Sequence, residues 1–147
     1  MLFVFKNKEY SLRKNISFIG VIGMLVLPSI AFTDIYRDQE TNLAWKIIDK
    51  PATNWSDANK ECQNLKDNEN GYTDWYLPSF YELKSLVDYD KYSPAITSEL
   101  KDIELGLYWS SSRYLGRKSH FWMVDFKSGK NDWGHEDDIH YVLCVHK

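Results

Sequence analysis

The sequence predicts an α+β domain in which two helices come first and most of the strands come last. Residues 54–65 and 79–87 carry apolar side chains at helical spacing. Four short segments after residue 106 have the alternation that is typical of strands. Since no repeat or low-complexity tract interrupts this order, we expect a single domain.

A leader, residues 1–31, precedes the domain. It begins with four basic side chains and one acidic side chain, and its apolar run, residues 16–27, has no charge. Ser29 and Ala31 are the small residues that signal peptidase needs, so the pattern predicts a secretory signal peptide. The run is short for a membrane-spanning helix, which needs about 20 residues, so a retained anchor is the less favoured alternative. The exported domain would then be residues 32–147.

The exported part is acidic. The leader holds four of the 18 basic residues and one of the 21 acidic residues, so its removal moves the formal net charge from -3 to -6. A negative field repels nucleic acid, which we therefore do not expect as a partner. An anionic ligand would have to meet a local basic patch.

Cys62 and Cys144 are the two cysteines of the chain, and both follow the leader. In an oxidising compartment two thiols most simply form one disulfide bond. This bond would join the first predicted helix to the last predicted strand. In the chain-entropy model, a ring of that length stabilises a fold by about 4 kcal/mol.

A strand and a helix open the domain. Residues 41–48 alternate and are rich in β-branched side chains, with Leu43 and Trp45 on one face. Asn54 is a good N-cap for a helix whose apolar residues recur at intervals of three and four. The buried stripe of this helix is predicted to consist of Trp55, Ala58, Cys62 and Leu65.

A polar loop at residues 67–74 separates this helix from the next. Ser79 and Glu82 form a capping box, which predicts a second helix. After it, residues 88–106 contain helix breakers and predict irregular structure with a helical turn at residues 98–103. The buried side of the second helix is predicted to carry Leu83, Leu86 and Val87.

The last third is predicted to be β structure, with Cys144 and Val142 on one face of the final strand. The predicted strands are residues 107–111, 121–126, 130–133 and 140–145, with a turn at 127–129.

Four motifs, in this order, carry a resemblance to a known family. They are Asn42-Leu43-Ala44-Trp45, Asp74-Trp75-Tyr76-Leu77-Pro78 with Glu82-Leu83, Tyr108-Trp109-Ser110-Ser111-Ser112, and Tyr141-Val142-Leu143-Cys144-Val145. Over residues 33–146 the chain resembles the bacterial DUF1566 family, also called the Lcl C-terminal domain. The resemblance implies a C-type-lectin-like fold, with two helices packed on a small, mostly antiparallel twisted sheet and a disulfide from the first helix to the last strand. With the leader, it implies export to the periplasm, the bacterial surface or the medium.

Three positions depart from the family's pattern. Members of the family commonly have arginine where this chain has Tyr76, Leu143 and His146. If those arginines form structural ion pairs, their loss matters little. If they belong to an anion-binding surface, the loss weakens the case for polyanion binding by this chain.

The sequence offers little for catalysis. Both cysteines are assigned to the disulfide, and the serines at residues 110–112 lack the glycines of a nucleophile elbow. No strong metal-ligand spacing relates the four histidines, His120, His135, His140 and His146. We therefore predict a non-catalytic module without a cofactor.

Two metal sites are weaker alternatives to a solvated polar loop before the last strand. One is a metal shared by His135 and His140 with Glu136 or Asp138. The other is a calcium site at Asp132, Glu136 and Asp138, although the calcium-binding triplets of true C-type lectins are absent from the sequence.

Binding of a glycan or a sulfated polyanion, as in an adhesin, is the favoured function. Guanidinium groups bind sulfate bidentately, and aromatic faces stack on sugar rings. The resemblance adds that a bacterial adhesin of the family binds sulfated glycosaminoglycans, whereas an ordinary solvated loop is the alternative. The candidate ligand-binding residues are Arg113, Tyr114, Arg117, Lys118, His120, Lys127 and Lys130.

A protein partner in a pilus or envelope assembly is the alternative function. Tyr72, Tyr89 and Tyr92 would then be anchors at the interface. The sequence does not specify an oligomeric state.

Overall fold

The computed structural model describes residues 35–48, 51, 53–66 and 71–147. The predicted leader with its cleavage site lies outside these residues, as does part of the predicted polar loop, residues 67–70. A 3₁₀ turn at Ser98–Leu100 falls within the helical turn that the sequence predicts. The helices and strands are β1 (Ile35–Arg37), β2 (Ala44–Ile47), α1 (Trp55–Asn64), α2 (Phe80–Lys84), β3 (Leu107–Arg113), β4 (His120–Asp125), β5 (Lys130–His135) and β6 (Leu143–His146).

The strands form two three-stranded antiparallel sheets, ordered β1-β2-β6 and β3-β4-β5. The α+β class is confirmed, but two sheets replace the one that was expected. Tyr76 explains the division, because its backbone N–H and C=O pair with Val145 on the edge of β6 that β2 leaves open. Within the described residues, the isolated bridge between Tyr108 and Tyr141 connects the two sheets.

The predicted strand at residues 41–48 begins later than expected, and β1, which the sequence analysis missed, precedes it. The residues between β1 and β2 form a turn. Asn42 adopts a left-handed φ of 60° there, which asparagine tolerates better than most residues. The Thr41 hydroxyl donates to the Asp38 carboxylate and fixes the same turn.

Both predicted helix caps are confirmed. The Asn54 side chain accepts the Asp57 N–H at 3.0 Å at the start of α1. Ser79 and Glu82 make both hydrogen bonds of the capping box at the start of α2. This helix ends at Lys84, three residues earlier than expected. In the described part of the chain, no helix is long and apolar enough to cross a membrane.

The interior contains two clusters of buried side chains. Leu43 and Trp45 lie together in the first, which confirms that they share a face of the strand. The second surrounds the disulfide between Cys62 and Cys144, which are 82 positions apart in sequence. Val142 belongs to the same cluster as Cys144, so the predicted bond and the predicted face of the final strand are both confirmed.

The last third is β structure, as the sequence predicts. β3 and β5 each extend two residues beyond their predicted ends, and β4 is displaced by one residue. β6 begins at Leu143 instead of residue 140, because His140 pairs with Thr53, next to α1. The hairpin of β4 and β5 carries the candidate site at one end.

Candidate functional site

The candidate site is the connection between β3 and β4, residues 113–120, which we name the 113–120 loop. β3 carries two extra residues relative to β4 just before the loop, so the strand bulges there. The Ser110 hydroxyl stabilises this bulge by donating to the Trp122 carbonyl oxygen at 2.6 Å. The Tyr114 N–H then donates to the His120 carbonyl oxygen at 2.8 Å and closes the loop.

The 113–120 loop borders a cavity of about 320 Å³. Leu115 and Ser119 form part of its lining, and Leu115 is 96% exposed at the tip of the loop. The structure therefore brings five of the seven candidate ligand-binding residues together around one cavity. They are Arg113, Tyr114, Arg117, Lys118 and His120.

Aromatic side chains of the sheet support the loop. The Tyr114 ring lies parallel to the Trp133 ring, with centroids 5.0 Å apart and an interplanar angle of 4°. It also meets the Trp122 ring edge-on, again at 5.0 Å. At Gly116 the backbone comes so close that a Cβ atom would lie 2.7 Å from the Tyr114 ring. Contacts from the sheet and from the loop therefore hold this ring in place.

Both arginines of the loop rest on aromatic rings, and no cation of the loop has an acidic partner among the described residues. The Arg113 guanidinium carbon lies 5.3 Å from the Phe121 ring centroid, and that of Arg117 lies 4.7 Å from the Trp133 ring centroid. Neither arginine nor Lys118 forms an ion pair with any residue that the structure describes. Their donors are therefore available to a ligand.

Lys127 and Lys130 lie elsewhere. They follow β4, and Lys130 pairs with Asp125 at the end of the hairpin opposite to His120. Five residue steps along a strand separate the two ends by roughly 17 Å. The structure thus does not bring these two lysines to the cavity with the other five candidates.

Three residues at the loop end of the hairpin were not among the candidate ligand-binding residues. Trp122 and Trp133 pair across β4 and β5, and His135 pairs with His120 two positions further on. The signal was present in the sequence, because a spacing of two places His120 and Trp122 on one face of a strand. The pairing of β4 with β5 was needed to add Trp133 and His135.

His140 does not share a site with His135. Its ring meets the Trp109 ring edge-on at 4.7 Å, whereas the His135 ring lies 5.2 Å from the His120 ring. Burial lowers the pKa of His140, although the carboxylates of Asp138 and Asp132 oppose this effect.

The acidic residues before β6 bond to the backbone. Asp138 accepts the His135 N–H at 2.8 Å, and Asp132 accepts the Trp133 N–H at 2.8 Å. Among the residues with described positions, no three His, Cys, Asp or Glu side chains are placed to hold a metal ion. The candidate calcium ligands Asp132, Glu136 and Asp138 therefore do not converge.

Two of the three departures from the family pattern lie in structural positions. The Tyr76 hydroxyl donates to Glu82 Oε1 at 2.9 Å, and burial, followed by Glu82, raises the pKa of Tyr76. Burial alone would raise the pKa of Glu82, but hydrogen bonds from Ser79 and Tyr76 and the charge of Lys147 hold it below its ordinary value.

Leu143, the second of these positions, is fully buried in the first cluster. The third, His146, packs its ring beside two aromatic rings, those of Tyr72 and Trp75.

The serines at residues 110–112 have structural partners. Ser111 donates to the Pro78 carbonyl oxygen at 3.2 Å, and the Ser112 hydroxyl accepts the Phe80 N–H at 2.9 Å. Both cysteines are in the disulfide, so neither supplies a free thiol.

The tyrosines named as possible protein anchors differ in exposure. Tyr89 and Tyr92 are 70% and 71% exposed, whereas Tyr72 is half-buried and accepts a hydrogen bond from Arg37 at 2.7 Å. Tyr81 on α2, which was not named, is 82% exposed.

Comparison with known proteins identifies the family. The model of the Lcl C-terminal domain family matches residues 34–146, which is most of the chain and nearly the range of the resemblance seen in the sequence. A search of curated proteins gave no match. The chain belongs to the Lcl C-terminal domain family.

Proposed function

We propose that this protein is an exported, non-catalytic binding module that recognises a sulfated or otherwise anionic glycan at the bacterial surface, as an adhesin does. The 113–120 loop is the binding site. The observation that carries the proposal is the set of three cations, Arg113, Arg117 and Lys118, around one cavity without an acidic partner in the described part of the chain. In an acidic protein, such a loop is a local patch that a polyanion can approach.

The chemistry of the loop fits a sulfated sugar. A guanidinium group offers two parallel N–H donors to one sulfate group, and it remains charged at every physiological pH. Arg117 is held against Trp133, which restricts its motion before a ligand arrives. Tyr114 lines the cavity and presents an aromatic surface for a sugar ring.

A second cavity, of about 680 Å³, is a poorer candidate for an anion. Its lining includes Asp38, Glu40 and Glu99. Asp38 accepts hydrogen bonds from Thr41 and from a backbone N–H, so its carboxylate already has protein partners. Its acidic lining would repel a sulfated ligand.

The departures at Tyr76 and Leu143 do not weaken the proposal. Both side chains pack in or against the first cluster, outside the lining of the loop cavity. An arginine at position 76 would meet the carboxylate of Glu82, which favours a structural ion pair as the role of that arginine.

We also assign the domain to the C-type-lectin-like folds. The support is the disulfide from α1 to β6, together with two small antiparallel sheets and two helices. The absence of catalysis is part of the same proposal. It rests on the bonded cysteines and on the structural hydrogen bonds of the serines at residues 110–112.

Recognition of a protein in a pilus or envelope assembly is the second candidate function. The observation that favours it is the exposure of three tyrosines, Tyr81, Tyr89 and Tyr92. Tyrosine anchors are common at protein interfaces because they bury a large apolar surface and keep a polar end.

Salt-dependent retention on immobilised heparin tests the glycan proposal. The protein should be retained at low salt and released as salt screens the contacts. Replacing Arg117 and Lys118 by alanine should abolish retention. The Lys127→Ala/Lys130→Ala variant is the matched control, because it removes the same charge from the other end of the hairpin.

An equal loss of retention in both variants would contradict a specific loop site, since net charge alone would then explain binding. No retention of the unaltered protein at low salt would exclude the polyanion proposal and favour the protein partner.

A further inference from the structure

We propose that His120 and His135 together bind a divalent transition-metal ion of the kind that imidazole prefers, such as Zn²⁺ or Cu²⁺. The two histidines come from neighbouring strands, β4 and β5, and face each other across the hairpin. The proposal does not depend on glycan binding, because the metal ion alone is the ligand.

The backbone places the two side chains at the closest type of cross-strand position. Ser119 and Glu136 form the pair next to His120 and His135. The Glu136 N–H donates to the Ser119 carbonyl oxygen at 2.8 Å, so this neighbouring pair is a hydrogen-bonded one. Hydrogen-bonded and non-hydrogen-bonded pairs alternate along an antiparallel ladder. His120 and His135 are therefore a non-hydrogen-bonded pair, in which the side chains approach most closely.

The ring nitrogens of His120 leave one lone pair for a metal. Its Nδ1 lies 2.7 Å from the Lys118 carbonyl oxygen. A carbonyl oxygen only accepts, so this Nδ1 carries the hydrogen and Nε2 of the neutral ring has the lone pair. Nε2 has no hydrogen-bond partner among the residues that the structure describes.

His135 is held by Asp137. Its Nδ1 accepts the Asp137 backbone N–H at 3.3 Å and lies 3.4 Å from Oδ2 of the same residue. A metal ion at Nε2 requires the other tautomer, in which Nδ1 carries the proton and donates it to the Asp137 carboxylate in place of the backbone contact, an arrangement that recurs in metal sites.

The distance between the rings fits one shared ion. Zn–N bonds are about 2.0–2.1 Å long, so two imidazoles bound tetrahedrally through Nε2 have centroids about 5 Å apart. The observed centroid distance is 5.2 Å, with the ring planes at 81°. The His135 side chain is 43% exposed, which leaves room for water molecules to complete the coordination.

Paramagnetic broadening by Cu²⁺ tests the site. The experiment uses protein produced from the full-length sequence and follows the ring proton signals of its four histidines during a titration with Cu²⁺ alone. The signals of His120 and His135 should broaden together and first. The Cu²⁺ affinity should fall about 100-fold in His120→Gln and in His135→Gln, because each variant loses the contribution of a second, preplaced ligand.

His146→Gln is the matched control, and its Cu²⁺ affinity should be unchanged, since His146 lies against Tyr72 and Trp75 and away from the pair. Near-ultraviolet circular dichroism establishes that each variant is folded. The proposal fails if all four histidines broaden equally. It also fails if neither replacement within the pair changes the affinity. Loss of heparin retention would leave the metal result unaffected, so the two proposals fail separately.

Discussion

Two regions of this protein place a cation against an aromatic ring, and they differ in what else the cation meets. Lys147 lies 5.8 Å from the Tyr76 ring centroid and 3.4 Å from the Glu82 carboxylate. Arg117 lies 4.7 Å from the Trp133 ring centroid and has no carboxylate partner in the described residues. We name the group of Lys147, Tyr76 and Glu82 the Glu82 cluster, and its cation has a carboxylate partner. The cation of the 113–120 loop has no such partner among the described residues.

The difference distinguishes a structural role from a binding role. In the Glu82 cluster, the carboxylate also accepts the Ser79 N–H at 2.9 Å, so the charge is used to begin α2. In the 113–120 loop, the aromatic contacts hold the two arginines, and no carboxylate within the described part of the chain pairs with their donors. A positive side chain near aromatic rings is therefore insufficient evidence of a ligand site, and the missing counter-charge is what makes the loop a candidate.

The largest expected effect is the loss of stability when Glu82 is replaced. Glu82→Ala removes the acceptor of the Tyr76 hydroxyl and of the Ser79 N–H, and should lower the free energy of unfolding by about 2 kcal/mol. Urea denaturation measures this loss. Heparin retention should stay unchanged, because the 113–120 loop is untouched.

Glu99→Ala is the control for that comparison, since Glu99 is exposed and its carboxylate contacts Thr97 and Ser98 nearby in sequence. It should lower the free energy of unfolding by less than Glu82→Ala. Equal effects of the two variants would mean that the Glu82 cluster has no special structural role.

The next effect is a pH dependence of stability that arises from Glu82. The folded-state pKa of Glu82 is lowered, so its contribution to stability is present above the unfolded-state pKa of about 4.3 and is lost as the pH falls through the folded-state value. Denaturation midpoints between pH 7 and pH 3 measure this loss. The same profile in Glu82→Ala should be flatter below pH 4.5, and an unchanged profile would contradict the assignment.

A smaller effect is expected at Gly116, within the 113–120 loop. The added methyl group of Gly116→Ala would lie 2.7 Å from the Tyr114 ring, so the ring must leave its stacked position on Trp133. An aromatic pair contributes about 1 kcal/mol, which is the expected loss of stability. Heparin retention should also decrease, because the cavity wall moves.

Leu115→Ala is the neighbouring control for Gly116→Ala. Leu115 is 96% exposed, so its replacement should change the free energy of unfolding little. If Gly116→Ala left both stability and retention unchanged, the ordered wall of the cavity would have no part in binding.

The sequence predicted local features of the fold well. The caps at Asn54 and Ser79 were found because each depends on residues within one helical turn. The disulfide was found because the chain has two cysteines. In contrast, β1 was missed because it has three residues and depends on the turn at Asn42, which gives no apolar pattern. The second sheet was missed because Tyr76 occupies an edge of β6 from far away in sequence.

The candidate site divides in the same way. The cluster from Arg113 to His120 was found because it is continuous in sequence. Lys127 was grouped with it because the two groups of cations are close in sequence. The length of β4, which separates them in space, cannot be read from the positions of the charges. Trp133 was missed because its place under Tyr114 depends on the pairing of β4 with β5. Sequence alone therefore gave the charge of the site and not its aromatic support.

The smallest expected effect separates the geometry of Arg117 from its charge. Arg117→Lys keeps the positive charge but loses the planar group that stacks on Trp133 and donates bidentately to sulfate. Stability should change by less than about 0.5 kcal/mol, since the side chain is exposed. The variant should leave immobilised heparin at a salt concentration between those of the unaltered protein and of Arg117→Ala. Elution together with the unaltered protein would mean that heparin recognises the charge alone. The 113–120 loop would then be an electrostatic patch and not a site that binds sulfate bidentately.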